Sequence, residues 1–217
     1  MILLKEAFLI FISFLSGSIM YSYIIPKLFK NIDIREISED SNPGAGNVIK
    51  NVGFALGILC VILDVLKAFI PVYISINKFN VDGILLVLIA IAPILGHAFS
   101  PFLNYNGGKA ISSTFGSFLA LYPLSNISII FAIILIFFKF ILTIKPNSSV
   151  ILASTLLLDI IIFIYDNNFY IKLISLFTSF ILIYKHEINR NYGDISISLF
   201  NKYFKFTLNN FNNKKIF

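Results

Sequence analysis

Asn106-Gly107-Gly108-Lys109 is the segment of this chain best composed to hold an anion. Adjacent glycines let the backbone turn where a Cβ would clash and aim successive N–H groups at one point, and Lys109 adds a full positive charge there. That chemistry suits phosphate, with a plain turn as the equal alternative. The segment lacks the spacing of a nucleotide P-loop, which disfavours ATP. A second cluster, Ser41-Asn42-Pro43-Gly44-Ala45-Gly46-Asn47, sets side-chain amides among turn-forming residues. Asn42 and Asn47 can each donate to and accept from a ligand hydroxyl, although such a cluster taken alone is more often a solvated turn. Upstream, Asp33-Ile34-Arg35 supplies a guanidinium able to grip phosphate through two N–H groups, with Asp33 and Glu36 as its ready sequence-local partners.

Asp64 and Lys67 stand three apart inside an apolar run and share one helical face. Charges at membrane depth are costly and face a bundle interior or an aqueous cavity, so this pair is either functional or mutually neutralising. His97 and His186 are the only histidines and Cys60 the only cysteine. No His or Cys pair has the spacing of metal ligands, and Cys60, in mid-run, is expected to be a small buried apolar residue. Asp159 and Lys139 acquire no role from their neighbours in sequence.

These groups must be positioned by membrane helices. The chain has 217 residues, 58% hydrophobic and 13% charged, with a mean hydropathy of +0.88. Such composition excludes the ordinary soluble class. A hydrocarbon core about 30 Å thick needs roughly 20 apolar residues per helix. On that basis about seven spans are expected, near 6–28, 51–77, 81–98, 111–124, 127–145, 149–166 and 168–185, the fourth being short. The fold class is therefore all-α, a polytopic bundle over 1–185 followed by a basic tail over 186–217. The first apolar run lacks a basic start and a small-residue cleavage site, so it is read as a retained helix. Pro71, Pro93 and Pro123 lie within or at the ends of spans and mark bends.

Lysine and arginine concentrate in the odd-numbered connections and the tail, which places the N-terminus outside and the C-terminus in the cytoplasm. The glycine-rich clusters then lie at the cytoplasmic face. A net charge of +6 spread over loops and tail fits anionic lipid headgroups and not nucleic acid.

Taken in order, the motifs resemble those of the bacterial acyl-phosphate-dependent glycerol-3-phosphate acyltransferase family. The resemblance runs through Gly17-Ser18-Ile19, Asp33-Ile34-Arg35, Asn42-Pro43-Gly44-Ala45 with Asn47, and Asp64-Val65-Leu66-Lys67 with Pro71. It continues through Gly96-His97 with Phe99, Phe102-Leu103, Gly107-Gly108-Lys109, and His186 with Asn189. It implies a seven-helix enzyme of the bacterial inner membrane that moves an acyl group from acyl phosphate to the 1-hydroxyl of glycerol 3-phosphate, without metal, nucleotide or other cofactor. The roles it implies are these. Lys109, with the N–H groups of Gly107 and Gly108, holds the phosphoryl group, while Ser18, Arg35, Asn42, Gly44 and Asn47 place the phosphates and the acceptor hydroxyl. Lys67, His97, His186 and Asn189 complete the polar cavity, and His186 is the first choice if a protein base exists. The chain departs from the family pattern at Glu39-Asp40-Ser41, where Gly-Ser-Gly is usual, and has Gly46 for a threonine. It also has Ser100-Pro101 in place of the usual proline-first pair, Ala110 where a third glycine is common, Arg190 directly after Asn189, and Gly193-Asp194 where glycine and glutamate are usual. A noncatalytic paralogue and a small-solute transporter are the other classes compatible with the composition. The lack of two matching hydrophobic halves weighs against the transporter.

Overall fold

The computed structural model describes residues 2–122, 124–188 and 196–199. Its helices are α1 (Ile2–Ser18), α2 (Tyr21–Lys30), α3 (Ile34–Ile37), α4 (Ala45–Asn51), α5 (Phe54–Phe79), α6 (Gly83–Ala98), α7 (Ile111–Ala120), α8 (Ile127–Ile136), α9 (Asn147–Tyr165) and α10 (Phe169–Glu187). Among the described residues, α5, α6 with its extension to Leu103, α9 and α10 are long and apolar enough to cross a membrane, and α1 with α2 forms a fifth candidate bent by 41°. The protein is thus helical and multi-pass. Ile111–Ala120 and Ile127–Ile141 are apolar but shorter than a full crossing. Pro123 lies outside the described residues.

The expected helix over 127–145 ends early. A π-helical turn, Phe137–Ile141, follows α8, and strand β1 (Leu142–Lys145) then pairs antiparallel with β2 (Ser196–Leu199), Leu142 opposite Leu199 and Lys145 opposite Ser196. Thr143 and Ile144 are β-branched, and Pro146 cannot supply the N–H that a continuing helix requires.

The first expected span, 6–28, is likewise broken between Ser18 and Tyr21. A break at membrane depth leaves carbonyls that need donors, and donors from elsewhere in the fold supply them. The Ser100 hydroxyl donates to the Ser18 carbonyl at 2.7 Å, and the Lys67 ammonium donates to the Ile19 carbonyl. One turn earlier, the Ser16 hydroxyl reaches the Lys67 carbonyl at 2.6 Å. The kink is therefore held by α5 and by the loop after α6.

α1 packs on α6, α5 on α7, and α10 on both α9 and α6. The α1–α6 contact depends on Gly96: a Cβ there would press on the Phe14 carbonyl and on Ser18. Small residues permit such backbone approach between membrane helices, where apolar burial alone gives little attraction. Phe118 and Phe131 meet edge-on at 5.6 Å in a core that includes Ile89, Ile94, Ile171 and Ile174. Outward-facing Phe8, Phe11, Ile62, Ile133, Phe163 and Phe180 present the apolar surface that lipid requires. Asp159 on α9 accepts hydrogen bonds from Ser175 at 2.5 Å and Ser179 at 3.1 Å on α10. That polar clasp joins two helices which their apolar faces would otherwise only pack together.

Candidate functional site

The glycine loop folds back onto the end of α6, because the Gly108 N–H donates to the His97 carbonyl at 3.0 Å. A Cβ at Gly107 would meet the carbonyls of His97 and Ala98, and one at Gly108 would meet the His97 ring. His97 is buried and forms the floor of the loop. The two glycines are therefore required for close approach, and the Gly108 N–H, already bonded to His97, is not free for a phosphate as expected. After Lys109 comes Ala110 at φ +59°, a left-handed conformation that glycine adopts without strain. This accounts for the glycine common in the family pattern. Ala110→Gly should stabilise the protein by about 1 kcal/mol, read as slower thermal aggregation in detergent; a variant less stable than the parent would show that the Ala110 methyl packs more than it strains.

Lys109 projects from this loop to the turn between α3 and α4. Its ammonium lies 2.8 Å from Asp40 Oδ2, while Asp40 Oδ1 accepts from Asn47 Nδ2 at 2.8 Å and from the Asn42 N–H at 3.2 Å. Asn47 also donates to the Asn42 carbonyl at 2.8 Å, and the Gly44 N–H donates to the same carbonyl at 2.8 Å. Gly44 then caps α4, and a Cβ on it would strike the Asn42 amide. The turn thus brings Asn42, Gly44 and Asn47 together around one carboxylate and one lysine. Asn42 Oδ1 is buried without a protein donor. Burial works against ionisation of Asp40, but the hydrogen bonds from Lys109 and Asn47 outweigh it and hold the carboxyl below its usual range. A carboxylate so depressed keeps its pairing above its ordinary pKa and loses it only as pH falls through the lowered value, so the ion pair persists throughout the neutral range.

His186, near the end of α10, is buried, with neither ring nitrogen hydrogen-bonded to protein. It lies within electrostatic reach of both Lys109 and Asp40. Lys185 beside it sits over the Phe99 ring, 5.2 Å from the centroid, and also feels the charge of Lys109. From Phe99 an apolar groove of ≈ 300 Å³ runs between α6 and α10, walled by Leu95, Phe177, Phe180 and Tyr184.

Other expected residues are placed differently. Arg35 makes a two-pronged contact with Asp33, Nε to Oδ1 at 3.0 Å and Nη2 to Oδ2 at 2.6 Å, and lies on the Tyr23 ring at 4.5 Å. The bond to Arg35 holds the Asp33 carboxyl below its usual range. Arg35 and Lys109 are thus held by different carboxylates, Asp33 and Asp40. Ser18 is fully buried, and its hydroxyl bonds back to the Phe14 carbonyl at 2.8 Å. Lys67 pairs with Asp64 Oδ1 at 2.8 Å, both side chains 1% exposed, and Asp64 Oδ2 accepts from Ser22 at 2.8 Å. His97 Nδ1 is 3.9 Å from Asp64 Oδ1, so this buried network sits directly beneath the glycine loop. Cys60 is buried as expected. Asn189 lies outside the described residues.

Sequence reasoning treated Asp40 only as a departure from a pattern and gave Lys185 no role. The first depends on a contact across 69 positions of sequence. The second carried a local signal: a lysine directly before the lone terminal histidine, at the end of an apolar run.

A family model described as glycerol-3-phosphate acyltransferase matches residues 7–192. The glycerol-3-phosphate acyltransferase of Fusobacterium nucleatum is 34% identical over 182 residues, covering 83% of this chain and 90% of that protein. Glycerol-3-phosphate acyltransferase 1 of Thermotoga maritima is 45% identical over 116 residues, 52% of this chain, and the match spans only 56% of that relative's length. The crystal structure of PlsY, an integral membrane glycerol 3-phosphate acyltransferase, in its glycerol 3-phosphate form, superposes with a TM-score of 0.74 at 27% identity, covering 85% of this chain and 90% of PlsY. With a family match over most of the chain, a relative 34% identical over most of both chains and a helical framework like that of an integral membrane relative, this chain belongs to the glycerol-3-phosphate acyltransferase family.

Proposed function

We propose that the protein transfers a fatty acyl group from acyl phosphate to the 1-hydroxyl of glycerol 3-phosphate, giving lysophosphatidic acid and inorganic phosphate. The observation that carries this reading is the convergence of Lys109, Asn47 and the Asn42 N–H on a single anionic group. A phosphate presents the same acceptors in a similar volume. The family relatives are named for glycerol 3-phosphate, and PlsY has been crystallised in glycerol 3-phosphate and lysophosphatidic acid forms.

In the proposed reaction the acceptor hydroxyl oxygen bonds to the acyl carbonyl carbon, the carbonyl-to-phosphate C–O bond breaks, and phosphate departs. Lys109 stabilises the charge growing on that phosphate. The Asn42 Oδ1, buried without a donor, is suited to accept from the acceptor's hydroxyl. Acyl phosphate is an activated mixed anhydride, so positioning and electrostatics can carry the rate, with a substrate phosphate oxygen taking the hydroxyl proton. His186, with both nitrogens unengaged, is the residue suited to be a base if the protein supplies one. The apolar groove bordered by Phe99, whose ring lies under the Lys185 ammonium, is suited to the acyl chain.

The same proposal includes seven membrane segments over 1–185, counting the short Ile111–Ala120 and Ile127–Ile141 helices as crossings completed by protein-lined vestibules, with the N-terminus outside. Residues 186–217 form a basic cytoplasmic tail, and the protein resides in the bacterial inner membrane. Purified protein in detergent should release phosphate from acyl phosphate only when glycerol 3-phosphate is supplied. Release that is independent of the acceptor would mark a hydrolase instead.

A further inference from the structure

We propose that Asp40 competes with substrate phosphate for Lys109, so that phosphate binds by displacing an internal carboxylate whose return helps expel the inorganic phosphate product. The inference rests on the reading of Lys109 as the phosphate-holding cation.

Asp40 sits on the donors that a phosphate would take. Its Oδ2 faces the Lys109 ammonium at 2.8 Å, and its Oδ1 holds Asn47 Nδ2 and the Asn42 N–H. The neighbouring Glu39 does nothing of the kind: its side chain is 79% exposed and pairs with Lys50 on the surface. Of the two acidic residues in this turn, only Asp40 enters the site. With Asp40 in place, the pair presents little net charge to an arriving dianion, and the carboxylate itself repels it.

The geometry permits exchange. Asp40 belongs to the short connection between α3 and α4, closed by a Ser41 N–H bond to the Ser38 carbonyl at 3.1 Å. Its side chain is 23% exposed and Lys109's is 20% exposed, so water can take over the carboxylate when the ammonium turns to phosphate. A partly exposed pair of this kind is weak enough to yield to a substrate and strong enough to reduce its affinity. Asp40 is thereby distinct from Asp64, whose ion pair is sealed at 1% exposure and cannot exchange.

A positioning role for Asp40, ordering Lys109 for the substrate, makes the opposite prediction. Asp40→Asn separates the two, because the amide oxygen can still accept from Asn47 and the Asn42 N–H while the charge is gone. Competition predicts that full-length Asp40→Asn in detergent binds inorganic phosphate about fivefold more tightly by calorimetry. It also predicts a lower KM for glycerol 3-phosphate and stronger inhibition by product phosphate. Asp40→Ser removes the same charge with a smaller side chain and carries the test if the asparagine variant is recovered poorly. Phosphate binding that requires Lys109 but is unchanged or weaker in both Asp40 variants overturns the inference and leaves the proposed function standing. Phosphate binding that is absent from every variant, or indifferent to Lys109→Ala, overturns the reading of Lys109 itself.

Discussion

Replacing Lys109 by alanine should lower the rate of acyl transfer by on the order of 100-fold or more, equivalent to roughly 2.7 kcal/mol of transition-state stabilisation. The size follows from the placement of the ammonium. It projects from a loop pinned to the end of α6 by the Gly108 to His97 hydrogen bond, and that loop is packed too closely on His97 for its glycines to carry side chains. Once the ammonium has turned from Asp40 to the bound phosphate, it needs no further reorganisation when negative charge grows on the departing group, which is the condition under which electrostatic stabilisation is largest. The fold should tolerate the change. Asp40 keeps its bonds from Asn47 and the Asn42 N–H and is partly exposed, so the orphaned carboxylate remains solvated. Phosphate release from acyl phosphate in the presence of glycerol 3-phosphate measures the effect, and Lys109→Arg, which retains charge but replaces a compact ammonium by a planar fork, should recover only part of it. A Lys109→Ala enzyme as fast as the parent would remove this lysine from the chemistry.

Most of the fold was legible because lipid imposes one demand, a long apolar helix, wherever the chain crosses it. The runs that became α5, α6, α9 and α10 satisfy that demand on composition alone. The exceptions have tertiary causes. Nothing in the local sequence between Ser18 and Tyr21 distinguishes a break from a continuous span; it exists because Ser100 and Lys67 arrive to satisfy the freed carbonyls. β1 likewise needs a partner from Ser196–Leu199, more than fifty positions away. In the candidate site, Lys109, Asn42 and Asn47 stood out by residue type, although a turn explained each cluster as well or better; their meeting on Asp40 is a tertiary fact. The pairing of Arg35 with Asp33 was also visible, being local. The position of His97 was not. Its ring and carbonyl form the floor of the glycine loop, a role fixed by packing that no spacing of polar residues encodes.

The buried charge network beneath that loop makes the largest stability prediction. Asp64→Asn keeps the shape of the side chain but leaves the Lys67 ammonium, 1% exposed, without its counter-ion. The Ile19 carbonyl and the Met20 sulfur at 4.0 Å remain as its contacts. Removing one member of a buried pair costs about 3–5 kcal/mol, because the other charge stays desolvated. The same substitution weakens the acceptor for Ser22, so both the α1–α2 break and the anchoring of α2 on α5 loosen together. The expected result is a sharp loss of folded protein on extraction and much faster thermal aggregation of what survives. Replacing the whole pair, Asp64→Leu with Lys67→Met, should recover much of this, since an apolar pair of similar volume avoids the desolvation that the ions incur. Activity of the recovered double variant then decides between the two roles open to Lys67. A stable, active double variant makes the pair a structural clamp, whereas a stable but inactive one means that Lys67 also contributes charge to the site through His97 and the loop above it. An Asp64→Asn protein that melts with the parent would mean that the ion pair contributes nothing to holding the broken helix in place.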